Sequence, residues 1–239
     1  MLKLVTLPAA FGMRNISPFC LKIEMLLTAL ELPFTITELN DPGKAPKGKL
    51  PYLNDGDICI ADSELIAEHL ERTTGGRVYQ GLSPAQKAQG LALTRLAEEH
   101  LYWIGVASRW LDDDWWPNIV SGFFGFIPAP LRPLICWVAR REVRKTYHLQ
   151  GLGRHTLEEQ RGFAERDLQA LQDSLPPSGF LFGDSPCIYD FAIASFMAGF
   201  LDNQPPTWFT TLARQYQGLV DYTERVQAHV GVYGRFLDT

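Results

Sequence analysis

Ser17-Pro18-Phe19-Cys20 opens the stretch on which the reading of this 239-residue chain turns. Gly48-Lys49-Leu50-Pro51-Tyr52 and Ala61-Asp62-Ser63-Glu64 stand some thirty and forty residues on. Ser17 is a good helix cap, and Pro18 falls at the first helical position, where the donor it lacks would be orphaned anyway. Phe19, Ile23, Leu26, Leu27 and Leu30 follow at helical spacing, with Lys22, Glu24, Thr28 and Glu31 mostly outside that stripe, and Pro33 ends the helix.

Working outward, Leu2 to Leu7 alternates as a strand, and so does Phe34 to Leu39. Together with the helix between them they make a βαβ unit, which favours a parallel pair. Asn40 to Lys49 is a loop. Leu50 to Asn54 and Ile58 to Ala61 are predicted as two strands joined by the turn Asn54-Asp55-Gly56-Asp57. Asp62 or Ser63 then caps a second helix. The order β-α-β, loop, β-β-α is that of an α/β thioredoxin-like domain, assigned to residues 1–74. Pro51 stands where a strand normally needs its N–H, a position at which proline is used for geometry.

Residues 75–82, with Gly75, Gly76 and Gly81, read as a linker, and 83–239 as an all-helical C-terminal domain. Ser83-Pro84-Ala85-Gln86 and Thr156-Leu157-Glu158-Glu159 are capping boxes. The first of these starts a long helix reaching about Asp112. Further helices are expected over Leu131 to Leu149, from Thr156 to Pro176, over Ala192 to Leu201, and near Trp208 to Tyr216 and Leu219 to His229. Ala192 to Leu201 is apolar nearly all round, which marks a central helix.

Composition narrows the partners. Hydrophobic residues make up 46% and charged residues 21%, a globular balance. Net charge is −5 and basic residues cluster only at Arg140-Arg141 and Arg144-Lys145, so nucleic acid is not an expected partner. No apolar run reaches the ~18 residues of a membrane span, and the first residues read as a strand rather than an export signal. Cys20, Cys59, Cys136 and Cys187 make no metal-ligand pattern, and no metal is expected; they read as reduced thiols of a cytoplasmic protein. Asp112-Asp113-Asp114 reads as a solvated helix end.

The three opening motifs resemble the glutathione S-transferase superfamily. The spelling Gly48-Lys49-Leu50-Pro51 is most similar to its failed-axon-connections and metaxin-like branch. Gln150 to His155 with Glu158-Glu159, and Asp167 to Leu171 followed by Gly183-Asp184, resemble segments of the same branch. The resemblance implies a glutathione transferase-like fold, glutathione as cosubstrate, a small apolar electrophile as acceptor and a homodimer. It implies that Ser17 at the helix N-terminus assists ionisation of the glutathione thiol. It also implies that Leu50 offers main-chain groups to the cysteinyl residue, that Asp62 and Ser63 hold the γ-glutamyl end, and that Lys49 or Lys47 meets the glycyl carboxylate. The tyrosine used by many transferases is missing, since Leu7, Pro8 and Ala9 stand at the end of the first strand. Trp103, Trp110, Trp115, Phe123 and Phe126 are candidates for an acceptor pocket between the domains, and equally for core or a dimer face.

Other readings stand beside these. Ser17 and Asp62-Ser63 are complete helix caps without any chemistry, and Pro51 is structural on either reading. Cys20 is a half-buried packing residue or the thiol of a glutathione-dependent thiol–disulfide or reductive enzyme. Arg14 either assists a thiolate or is a solvated loop residue. Asp190 serves folding, with Cys187 where the family carries Thr or Ser. A different class is a non-catalytic metaxin-like binding module.

Overall fold

The computed structural model describes residues 1–237. Four strands, β1 (Leu2–Thr6), β2 (Phe34–Glu38), β3 (Tyr52–Asp55) and β4 (Ile58–Ala61), form one sheet in the order β2-β1-β3-β4. β1 runs parallel to β2, with Leu4 opposite Ile36, and antiparallel to β3, with Leu4 opposite Leu53. Central position explains the burial of Leu4, Val5 and Thr6 in succession rather than in alternation. The β3–β4 hairpin closes through Gly56 and Asp57, with Asp55 opposite Ile58; Gly56 takes φ +58°, open to glycine at little cost. This is the expected turn, with Asp55 drawn into the strand.

Two helices complete the first unit: α1 (Pro18–Ala29) and α2 (Ser63–Thr73). A helical half follows: α3 (Pro84–Arg95), α4 (Tyr102–Trp110), α5 (Trp116–Phe124), α6 (Arg132–Gln150), α7 (Leu157–Ser174), α8 (Ile188–Leu201), α9 (Trp208–Ala213) and α10 (Gln217–Val230). Every residue of α8 is buried, as its all-round apolar sequence requires. Asp190, in its first turn, accepts bonds from the N–H groups of Leu181 and Cys187 (2.8 Å each) and from the Tyr222 hydroxyl. It ties the loop before α8 to α10, a folding role.

Two features depart from the sequence reading. The long helix from Ser83 is interrupted: Leu96–Leu101 is a π-helical turn between α3 and α4. And α1 is not amphipathic in the expected way. It is wedged against α8, and Lys22 and Glu24 are buried on it. Both are compensated. Lys22 Nζ lies 2.6 Å from Glu98 Oε1 in the π turn, and Arg14 lies 2.9 Å from Glu24. Arg95 joins Glu98 (2.8 Å) to Glu64 of α2, so charges from α1, α2 and α3 converge on one turn of the helical half. Burial is the largest influence on the Glu98 carboxyl and raises its pKa, against the pull of Lys22.

No helix among the described residues is long and apolar enough to cross a membrane. Nor do three or more His, Cys, Asp or Glu gather there as metal ligands would.

Candidate active site

Ser17 sits at the start of α1 because it is itself extended (φ −104°, ψ 112°) and Pro18 fixes the first helical residue. Its N–H donates to Asn15 Oδ1 (3.2 Å), and its Oγ accepts from the Cys20 N–H (3.3 Å). Only 7% of Ser17 is exposed. Ser17 lines a cavity of about 770 Å³ between the sheet unit and the helical half, and its hydroxyl also bonds the Cys20 thiol, which lowers that group's pKa. The hydroxyl thus accepts from the Cys20 N–H beside the positive end of a helix dipole, and its proton can turn from the Cys20 sulfur to that of a ligand.

Pro51 and Asp62 meet through the main chain. The Asp62 N–H donates to the Pro51 carbonyl (3.3 Å), and the Leu50–Pro51 bond is cis. Asp62 caps α2, its Oδ1 accepting from Glu64 N–H (2.9 Å) and, more weakly, from Leu65 N–H (3.4 Å). It does so at φ +104°, a left-handed value that a non-glycine residue adopts at a cost of order 1–3 kcal/mol. Asp62 is exposed, Ser63 is buried behind it, and Leu50 is half-buried. Leu50 makes no backbone hydrogen bond to another described residue, which leaves its amide and carbonyl open to a ligand's peptide. Lys47 and Lys49 are both exposed on the loop before it. An extended peptide with a free amino-carboxylate end fits this set: open main chain at Leu50, a carboxylate at Asp62 and lysines beyond.

Cys20 is 0% exposed, and burial pushes its thiol up to about 12, outweighing the lowering effect of the Ser17 hydrogen bond. The half-buried thiol of the sequence reading is corrected: Cys20 is wholly enclosed. Arg14 is part-buried and lies outside the lining of the cavity. It donates to the Tyr233 carbonyl (Nε 3.0 Å, Nη2 2.7 Å) and pairs with Glu24, clasping the C-terminal segment.

The helical wall of the cavity is formed by Tyr102, Gly105, Val106, Arg109 and Trp110 of α4, by Phe123 and Phe124 of α5, and by Phe200 of α8. These α4 positions recur at helical spacing along one face. Trp110 stacks on Phe123 (centroids 5.7 Å, 25° between planes), and both line the cavity. Phe126 also lines the cavity, at its exposed rim. Trp103 is a correction. About 100° round the helix from Tyr102, it packs edge-on against that ring (5.7 Å), at the border of the core and away from the cavity lining. Trp115 is likewise core: it is buried, edge-on to Phe11, with its Nε1–H donating to the Pro205 carbonyl (3.0 Å). Gly105 lets Phe200 approach, since a Cβ there would stand 2.7 Å from its ring.

Sequence reasoning missed Tyr102 and Arg109. Arg109 donates through Nη2 to the Gly199 carbonyl, and burial lowers its pKa to about 10. Its only charge in the apolar run Tyr102 to Trp110 was the available signal. The rim from Glu38 to Pro42, with Lys44, was also missed.

With this geometry in hand, the chain can be set beside known proteins. Residues 18–115 match the family profile described as Glutathione S-transferase N-terminal domain, and residues 164–226 match Glutathione S-transferase, C-terminal domain. The chain is 33% identical, over 91% of its length and 94% of the relative's, to Isoprene-epoxide–glutathione S-transferase of Rhodococcus sp. (strain AD45). This chain is a member of the glutathione S-transferase superfamily. Failed axon connections of Drosophila melanogaster is 28% identical over 76% of the chain, which spans 46% of that protein. Metaxin-2 of Homo sapiens is 22% identical over 87% of the chain and 80% of the relative. The failed-axon-connections and metaxin-like branch is therefore among its kin, as expected. A glutathione S-transferase of Methylobacterium radiotolerans, solved in complex with glutathione sulfonate, shares the fold with a TM-score of 0.63 at 17% identity, over 100% of this chain and 96% of that one. One of Methylobacillus flagellatus with glutathione bound gives 0.58 at 16% identity, over 95% of each.

Proposed function

We propose that the protein is a glutathione transferase in which Ser17 stabilises the thiolate of bound glutathione for attack on a small apolar electrophile, an aliphatic epoxide being the first class to test. The observation that carries this is the Ser17 hydroxyl, which accepts from the Cys20 N–H and lines the interdomain cavity at the N-terminus of α1. A thiolate placed there gains a hydrogen bond and the field of the α1 N-terminus, both of which lower a thiol pKa. Leu50, Asp62 and Ser63, with Lys49 or Lys47, hold the rest of the tripeptide. Trp110 and Phe123 hold the apolar acceptor, and catalysis comes from proximity and thiolate stabilisation. The bacterial relative named for isoprene epoxide and glutathione supports both halves of this reading, and the two glutathione-ligand structures support the first.

Glutathione-dependent thiol–disulfide chemistry at Cys20 is the weaker reading, because a thiol at 0% exposure with its pKa near 12 is neither accessible nor ionised at neutral pH. A non-catalytic binding module, suggested by the kinship with metaxins, is the alternative of another class. The same proposal carries a cytoplasmic homodimer, which sedimentation and fractionation check. Calorimetric titration of glutathione into the protein tests the central reading. Binding is expected, with a loss of about tenfold (~1.4 kcal/mol) in Asp62→Ala. No binding at millimolar glutathione would leave the binding module instead.

A further inference from the structure

Arg109 is the one charged side chain on the helical wall of the cavity that the proposed chemistry leaves without a task. It has no carboxylate partner: no ion pair involves it among the described residues, and the only charge interaction acting on it is with the Tyr102 hydroxyl. Its single hydrogen bond runs from Nη2 to the Gly199 carbonyl, itself part of the cavity lining. A guanidinium has five N–H donors, so most of its donors are unspent. The helical wall to which it belongs also carries Tyr102, Val106, Trp110, Phe123 and Phe200, and the acidic residues of the cavity, Glu38 and Asp41, stand exposed on the sheet side. Placing an uncompensated cation among aromatic rings is costly unless something negative arrives.

Resting on the transferase reading above, we infer that Arg109 is a further catalytic residue, an oxyanion-binding group that receives the oxygen of the electrophile when the thiolate opens or adds to it. The substrates it selects are those whose reaction puts a localised negative charge on oxygen, epoxides above all. The cavity has the right order of parts. Ser17 marks the sulfur end, the Trp110–Phe123 stack holds the apolar body, and Arg109 lies on the helical wall beside that stack.

The step balances without any other reactant. The glutathione S–H proton leaves to solvent as the thiolate forms. Sulfur then forms a bond to one epoxide carbon, that carbon's C–O bond breaks, and its electron pair stays on oxygen as an alkoxide held by the Arg109 N–H groups. The alkoxide takes one proton from water, replacing the one released, and the product is a hydroxy-thioether. A preorganised donor at such a site is worth roughly 10²–10³-fold in rate. An alkyl iodide of the same carbon skeleton provides the contrast, since its leaving group is a diffuse, weakly basic anion that needs no hydrogen-bond donor.

The experiment compares kcat/KM of the full chain for a short aliphatic epoxide and the matched alkyl iodide, in the native protein, Arg109→Met and Arg109→Lys. Alongside it, the ultraviolet absorbance of the bound glutathione thiolate is followed against pH. The inference expects Arg109→Met to lose at least tenfold more activity with the epoxide than with the iodide. Arg109→Lys should recover part of that difference, and the thiolate titration should match the native protein. Equal losses on the two acceptors, or a thiolate titration displaced upward in Arg109→Met, would overturn it and assign Arg109 to packing or to the thiolate. A native protein that binds glutathione but conjugates neither acceptor would remove the transferase reading and this inference with it. A folded Arg109→Met with native epoxide activity would overturn the inference alone. If Arg109→Met does not fold, Arg109→Lys decides on the same ratio.

Discussion

The two walls of the cavity are built by different means. On the sheet side, Ser17 lines the cavity, and Pro51 and Asp62, outside its lining, are placed by rules of the same local kind: a helix cap with proline behind it, a proline entering a strand, and a second cap in a left-handed conformation. Each cap is fixed by neighbours two or three residues away. On the helical side, Tyr102, Arg109, Trp110, Phe123 and Phe200 come from three helices, and their convergence depends on the packing of α4, α5 and α8. The lesson is that a main-chain binding site can be specified by short motifs, whereas an acceptor pocket is a tertiary product and varies without disturbing the first.

The largest expected effect concerns what joins the walls. Lys22→Met leaves Glu98 buried and short of its closest partner, and should cost about 3–5 kcal/mol in urea unfolding; Lys22→Met with Glu98→Leu should recover most of it. If the single change is neutral, the walls are held by apolar packing alone. Next comes Ser17→Ala. It should lower kcat/KM about 10²–10³-fold by removing the donor to sulfur, while loss of the cap costs only about 1 kcal/mol of stability. Cys20→Ala should leave the thiolate chemistry intact, and a loss as large as that of Ser17→Ala would revive the thiol reading.

Phe123→Ala sharpens the comparison from the other side. It removes the stacking partner of Trp110 and should raise KM for an apolar acceptor several-fold while leaving glutathione affinity within about twofold. A smaller effect is expected at His100, which bonds Asp167 and so pins the π turn to α7. That bond, the largest influence, raises the His100 pKa. Because the folded-state pKa is the higher one, the stabilisation is complete below the unfolded value of about 6.5 and fades as pH rises through the folded value. His100→Asn should therefore destabilise the protein more at about pH 6 than at about pH 8.5, as thermal melts at the two pH values would report. Equal destabilisation would assign His100 to packing.

Legibility in the sequence follows the same division. The βαβ-ββα order, the two capping boxes and the buried α8 could be read because caps, prolines and apolar periodicity are local signals. Pro51 and Asp62 could be marked for the same reason, though neither the cis bond nor the left-handed φ of Asp62 has a signature in residue type. The π turn at Leu96–Leu101 could not, since the partner of its buried Glu98 is Lys22, seventy-six residues away. That also hid the burial of Lys22 and Glu24, which look like surface residues in any reading of α1 alone. In the acceptor pocket, aromatic richness indicated the right region but not the right rings. Trp110 and Phe123 face the cavity, Trp103 and Trp115 do not, and Arg109 was visible only as a lone charge in an apolar helix.

The central claim is that Ser17 holds a thiolate. It is tested most directly by titrating the ultraviolet absorbance of glutathione bound to the native protein and to Ser17→Ala. The account predicts a bound thiol pKa well below the ordinary value of about 8.5 in the native protein and a return toward it in Ser17→Ala. A native complex whose thiol titrates as in free solution, or a depressed value that survives Ser17→Ala, would contradict it.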